Sequence, residues 1–112
     1  MTRIEAIVRP SVLEELEALL SHPWIAGITV TEVKGVGRQR GHVEIYRGAE
    51  YVVELQPKLR LELVVPTPLA PRIVEDLSRL LRTGRIGDGK IFLAPVEEAV
   101  RIRTGERGEE AL

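Results

Sequence analysis

Near the start of the chain Ile4, Ala6 and Val8 alternate with Arg3, Glu5 and Ile7, a two-residue period that predicts a strand ending at Pro10. Ser11 stands three residues before Glu14, the spacing of a capping box, in which each side chain satisfies an orphan amide of the helix start. Leu13, Leu16, Leu19 and Leu20 follow at helical spacing, so the first helix is expected to run to about Ser21 and stop before Pro23. After Gly27, the run Ile28-Thr29-Val30-Thr31-Glu32-Val33 has strand character, closed by Gly35. In Leu59-Arg60-Leu61-Glu62-Leu63-Val64-Val65, the positions Leu59, Leu61, Leu63 and Val65 share one face of a further strand. Pro66, Pro68 and Pro71 precede a second helical pattern, Ile73, Val74, Leu77, Leu80 and Leu81, which Gly84 is expected to end. Lys90 to Ala94 reads as the last strand, Val100 to Arg103 as a short extended piece, and Gly105 to Leu112 as a polar, mobile tail.

The order is β-α-β followed by β-α-β. Two such units side by side give a four-stranded antiparallel sheet with both helices on one face, the ferredoxin-like α+β arrangement, as a single domain over 1–112. One helix layer leaves the other sheet face to be polar or covered. The strands carry apolar residues on more than one face, which points to an oligomer.

Composition narrows the function. The chain is 44% hydrophobic but only 4% aromatic (Trp24, Tyr46, Tyr51 and Phe92), so the core is aliphatic. Sixteen Lys and Arg against seventeen Asp and Glu argue against a general nucleic-acid or anionic-membrane binder, which needs a basic excess. The absence of Cys excludes disulfides, thiolate metal sites and cysteine nucleophiles. The N-terminus runs straight into patterned sequence without an apolar targeting segment, and the expected location is the cytoplasm.

The pattern breaks twice. Between Gly35 and Lys58 lies a stretch that fits neither helix nor core strand; a loop that long in a small domain is commonly functional, the alternative being a solvated excursion. Its second part is expected to form a hairpin turning near Arg47-Gly48. The second break, Thr83-Gly84-Arg85-Ile86-Gly87-Asp88-Gly89-Lys90, has three glycines among eight residues, the composition of an anion nest; a helix C-cap followed by a plain turn is the alternative. Gly35-Val36-Gly37 follows a strand, but no helix opens after it, so it fails the context of a dinucleotide fingerprint. Arg101 and Arg103, two apart in an extended piece, are expected on one side, and with Arg38 and Lys90 they could form a basic pocket for a polyphosphate. A solvated charged face is the plainer reading of the same residues.

Three segments carry a resemblance: Thr29 to Gly35, then Gly37-Arg38-Gln39 with Gly41-His42, then Tyr46-Arg47-Gly48-Ala49-Glu50-Tyr51. With Thr83 to Phe92 and Arg101 to Glu106, they resemble the PII nitrogen-regulatory signal proteins over essentially the whole chain. The resemblance implies a homotrimer of ferredoxin-like subunits with ATP or ADP in the clefts between neighbours. The loop at about 36–57 corresponds to the family's T-loop, 82–90 to its B-loop and 102–112 to its C-loop. It further implies that Gly35, Gly37, Arg38, Gln39, Gly87, Asp88, Gly89, Lys90, Arg101 and Arg103 hold the nucleotide, with Thr29, Glu62 and Val64 near adenine and ribose. Gln39 would bind Mg2+ beside ATP, and Gln39, Gly41, Lys58 and Gly87 would hold 2-oxoglutarate.

By the same resemblance Tyr51 matches a tyrosine that relatives modify with UMP or AMP, whereas Ala49, at a phosphoserine position of other relatives, has no hydroxyl. The implied role is a cytoplasmic sensor, not an enzyme beyond slow residual ATP hydrolysis. Its T-loop would dock an ammonium transporter, a nitrogen-assimilation enzyme or a regulatory protein, meeting a membrane only through a transporter. An acylphosphatase-type enzyme of the same fold is the main rival; it places its water with Asn, and this chain has none. An RNA-binding module of RRM type would need exposed strand aromatics, of which Phe92 is the one candidate. His42 has no nucleophile arrangement around it, and His22-Pro23-Trp24 reads as local packing.

Overall fold

The computed structural model describes residues 1–37, 43–46, 50–53 and 55–112, with the backbone alone for 43–46 and 50–53. Its strands are β1 (Thr2–Val8), β2 (Thr29–Gly35), β3 (Val43–Tyr46), β4 (Glu50–Val53), β5 (Gln56–Val65) and β6 (Lys90–Pro95). The helices are α1 (Leu16–Leu20) and α2 (Ala70–Leu81). Four strands form one antiparallel sheet in the order β2-β5-β1-β6, while β3 and β4 pair separately, Tyr46 opposite Glu50. This is the expected ferredoxin-like order, with the predicted pairing inside the long connection.

Register explains which face is buried. Ile4 pairs with Leu63, Ala6 with Leu61 and Val8 with Leu59, so one face of β1 and β5 is continuously apolar. Those residues, with Val65, are buried beneath Val12, Leu19, Ile73 and Leu77 from the helical layer. α2 is amphipathic: Ala70, Ile73, Leu77 and Leu81 recur at three- and four-residue spacing and are all buried. The hydroxyls of Thr2 and Thr67 bond at 2.9 Å, tying the start of β1 to the turn that leads into α2.

The first helix departs from expectation. Pro10–Glu15 is a 3-10 helix and only Leu16–Leu20 is α-helical. No side-chain cap bond forms at its start, so the Ser11–Glu14 capping box is not realised; Arg9 occupies the N-cap position and its carbonyl accepts from Val12 N–H at 3.2 Å. With three residues per turn the leucine stripe no longer lines up, and Leu13 and Leu20 remain exposed while Val12 and Leu19 are buried. α2 ends at Leu81, before Gly84.

The C-terminal stretch also differs. Val100 makes an isolated bridge with Arg107, and the chain between them turns back: Gly105 N–H donates to Arg101 O at 2.8 Å and Arg101 N–H to Glu106 O at 2.9 Å. Arg101 and Arg103 therefore sit in a turn, not in an extended piece, and the expectation that they share a side by strand alternation does not hold. The supposed tail is structured too, with Gly108–Ala111 forming a 3-10 turn.

Candidate functional site

α2 delivers the chain into the glycine turn at 82–89, which feeds β6. Gly84, Gly87 and Gly89 all have positive φ, at 81°, 103° and 101°. At Gly89 the requirement is steric as well: a Cβ there would lie 1.9 Å from the carbonyl oxygen of Ile7. The turn thus lies directly on the backbone of β1, which only glycine permits.

Asp88 closes the turn from within. Its Oδ2 accepts from the backbone N–H groups of Thr83 and Gly84, each at 2.9 Å, and its Oδ1 accepts from the Thr83 hydroxyl. Arg9 Nη2 approaches Oδ1 at 3.5 Å and also donates to Leu81 O, a terminal carbonyl of α2, at 3.2 Å. The Thr83 hydroxyl, followed by backbone bonds from Thr83 and Gly84, holds the Asp88 carboxyl below the usual carboxylate range.

On the other side of the turn is a groove of about 290 Å3 lined by Gly35, Val36 and Gly37, by Lys58 of β5, and by Gly89 and Lys90. Lys58 Nζ would lie 3.9 Å from a methyl group placed on Gly87. The structure therefore brings together Gly35, Gly37, Lys58, Gly87, Gly89 and Lys90, drawn from three separate stretches of sequence. Two lysines beside a glycine-rich turn suit an anion with several oxygens, such as a phosphate or a carboxylate. The groove is at the lower end of ligand-pocket volumes, room for part of a nucleotide.

Other expected residues lie elsewhere. Thr29 pairs with Glu62 across β2 and β5, and Val64 follows two residues on, so these three share the sheet face away from the helices. Thr29 begins β2 and Gly35, which lines the groove, ends it, so Thr29 is roughly 20 Å from the groove along the strand. Arg101 is engaged by its own chain, its Nη2 donating to Leu112 O at 2.6 Å and its Nη1 pairing with Glu106 at 3.4 Å. Arg101 and Arg103 do not line the groove that holds Lys90, so one chain does not assemble the four-residue basic pocket read from the sequence. Arg38, Gln39, Gly41 and His42 lie outside the described residues, and for Tyr51 only the backbone is described, opposite Ile45. Among the described residues no cluster of three or more His, Asp and Glu could hold a metal ion.

Arg9 and Thr83 were not singled out by the sequence. A usable signal was present: Gly84, Gly89 and Lys90 have the glycine and lysine spacing of a P-loop, although Ile91 takes the place of its hydroxyl residue and the segment runs from helix to strand. His22 finds a structural role, its Nε2 donating to Asp76 at 2.9 Å and its Nδ1 accepting from Trp24 N–H at 3.4 Å. It fastens the end of the first helical segment to α2.

Comparison with known proteins places this geometry in context. The family model described as "Nitrogen regulatory protein P-II" matches residues 1–106. Proteins named Nitrogen regulatory protein P-II from Azospirillum brasilense and Rhodospirillum rubrum are 55% and 54% identical over 112 residues, covering the whole of both chains in each case. The solved structure of B. subtilis GlnK superposes with a TM-score of 0.81 at 36% identity, covering 99% of this chain and 97% of that one.

Proposed function

This chain belongs to the nitrogen regulatory protein P-II family, and from that premise we propose that it senses ATP against ADP, and 2-oxoglutarate beside ATP, in clefts between subunits of a homotrimer. The observation that carries the reading is the groove lined by Lys58, Lys90 and Gly89, with Lys58 beside Gly87 of the same positive-φ glycine turn. Lys90 and the turn receive the nucleotide phosphates, and Lys58, beside Gly87, pairs with a 2-oxoglutarate carboxylate. Gln39 would help to hold Mg2+, which would supply positive charge beside ATP and the second ligand.

The placement of its parts supports sharing of each site between chains. The groove has room for part of a nucleotide at the Gly35–Gln56 end of the β2–β5 ladder, while Thr29 and Glu62 pair at its opposite end. A neighbour's Thr29, Glu62 and Val64, with its Arg101 and Arg103, complete the cleft around base and remaining phosphates. Exposed apolar surface supports such contacts: Phe92 is 53% exposed and Ile102 99%.

The output is the stretch between β2 and β5, whose first residues, Val36 and Gly37, line the groove. Ligands act on it only through their preference between its states, and so change its affinity for a transporter, enzyme or regulator. Calorimetric titration tests the scheme. The expected result is 2-oxoglutarate binding with Mg-ATP and little without it; equal binding with ADP or with no nucleotide would refute it.

A further inference from the structure

We propose that Asp88 is a positioning residue rather than a ligand: with Thr83 and Arg9 it forms an internal clamp that shapes the glycine turn for an outside anion. The proposal rests on the nucleotide reading above and assigns Asp88 a different role from that implied by the family resemblance.

A carboxylate in the middle of an anion site is a contradiction unless its charge is used elsewhere, because like charges at contact distance repel. The structure shows where it goes. Four donors converge on its two oxygens: Thr83 N–H and Gly84 N–H on Oδ2, the Thr83 hydroxyl and Arg9 on Oδ1. Asp88 lines the depression beneath the end of α2, with Val8 and Leu81; Gly89 and Lys90 line both that depression and the groove beside Lys58, and Asp88 is not part of the groove's lining.

The clamp is tied into the fold at each end. Arg9 reaches from the end of β1 to both Leu81 O and Asp88, fixing the turn relative to helix and sheet. The Thr83 hydroxyl donates to Asp88 while accepting from Arg85 N–H at 3.2 Å, so a single hydroxyl orders both limbs of the turn. With Gly89 seated on Ile7 O, the positions of Gly87, Gly89 and Lys90 are set before any ligand arrives, which lowers the ordering cost of binding.

The clamp and a direct ligand differ in what Thr83 does. We expect Thr83→Val and Asp88→Ala each to weaken ATP and ADP alike, by about tenfold in calorimetry, as when one charge-assisted bond is lost. Thr83→Ser should restore binding, and the double variant Thr83→Val/Asp88→Ala should be no weaker than Asp88→Ala alone, because the residues act as one unit. Amide hydrogen exchange without ligand supplies an independent readout: residues 83–90 should exchange faster in Thr83→Val and Asp88→Ala than in the unmodified protein. Loss of affinity in Asp88→Ala with wild-type affinity in Thr83→Val would make Asp88 a direct ligand and overturn the proposal. Unchanged exchange in both variants would overturn the clamp itself. An unmodified protein that binds neither nucleotide would refute the functional reading, and with it the clamp's role in binding, while the exchange result still judges the clamp as structure.

Discussion

Gly89→Ala puts the fit of the glycine turn on β1 to a quantitative test. The added methyl would meet Ile7 O at 1.9 Å and Ile7 C at 2.9 Å, against the 3.0 Å below which real Cβ contacts essentially never fall, so the two backbones must separate by about 1.1 Å. Forcing a methyl into a packed site costs about 1–3 kcal/mol. The φ of 101° adds about 1–2 kcal/mol for a residue with a Cβ. The sum is about 2–5 kcal/mol, a large share of a small domain's stability. Two other glycines isolate the contributions. Gly84 has φ 81° and nothing within 4 Å, so Gly84→Ala should cost the conformational part alone, about 1–2 kcal/mol. Gly27 has neither strain nor a neighbour within 4 Å, and Gly27→Ala should stay within about 0.5 kcal/mol of the unmodified protein. Urea unfolding of the three variants, at one fixed chain concentration because assembly stabilises by mass action, gives the comparison. A Gly89→Ala protein as stable as Gly84→Ala would mean that the turn does not rest on β1, and the rigidity argued for the groove would be lost.

Ile73 is fully buried between α2 and the sheet, and Ile73→Ala should cost about 2–5 kcal/mol in the same assay; a loss under 1 kcal/mol would contradict its central place in the core. Lys58→Met should abolish 2-oxoglutarate binding while leaving ADP affinity within about threefold, a free-energy change too small for loss of a charge-assisted bond. Comparable loss of both ligands would place Lys58 on the phosphates instead. Asp76 is held below the usual carboxylate range chiefly by the bond from His22, with Arg72 and Arg79 nearby, and Asp88 by Thr83. A depressed carboxylate stabilises the fold above its unfolded value near 4, and that contribution is lost as pH falls through the lower folded value. The melting temperature should therefore drop on acidification below about pH 4, less steeply in Asp76→Asn; an unchanged slope in that variant would rule out the His22–Asp76 contact as its source.

Much of the sheet was legible because alternation in β1 and β5 is strict: Leu59, Leu61, Leu63 and Val65 are all buried. The first helix was not, since Pro10 and the N-cap Arg9 draw the chain into a 3-10 helix that shifts which leucines face inward. Arg101 misled for a related reason. Two-residue spacing implies a shared side only in a strand, and bonds from Gly105 to Arg101 and from Arg101 to Glu106 fold that segment back on itself. For the site, glycine composition and nearby cations located the turn, but the partner of Asp88 lies 79 positions away at Arg9, and no local pattern encodes that distance. The internal use of the Asp88 charge emerges only from the packing of β1 against the end of α2.

The seating of Gly89 on Ile7 O makes the groove mechanically lopsided. One wall is bolted to β1, an inner strand of the sheet, while the facing wall is the end of an edge strand, β2, running through Val36 and Gly37 into the long connection. On the proposed reading, a ligand between the two walls would act chiefly on the one not seated on β1. Differences between guests of unequal size or charge would then pass along the chain toward the segment proposed to meet partners. The anvil is the glycine turn; the lever is the end of β2.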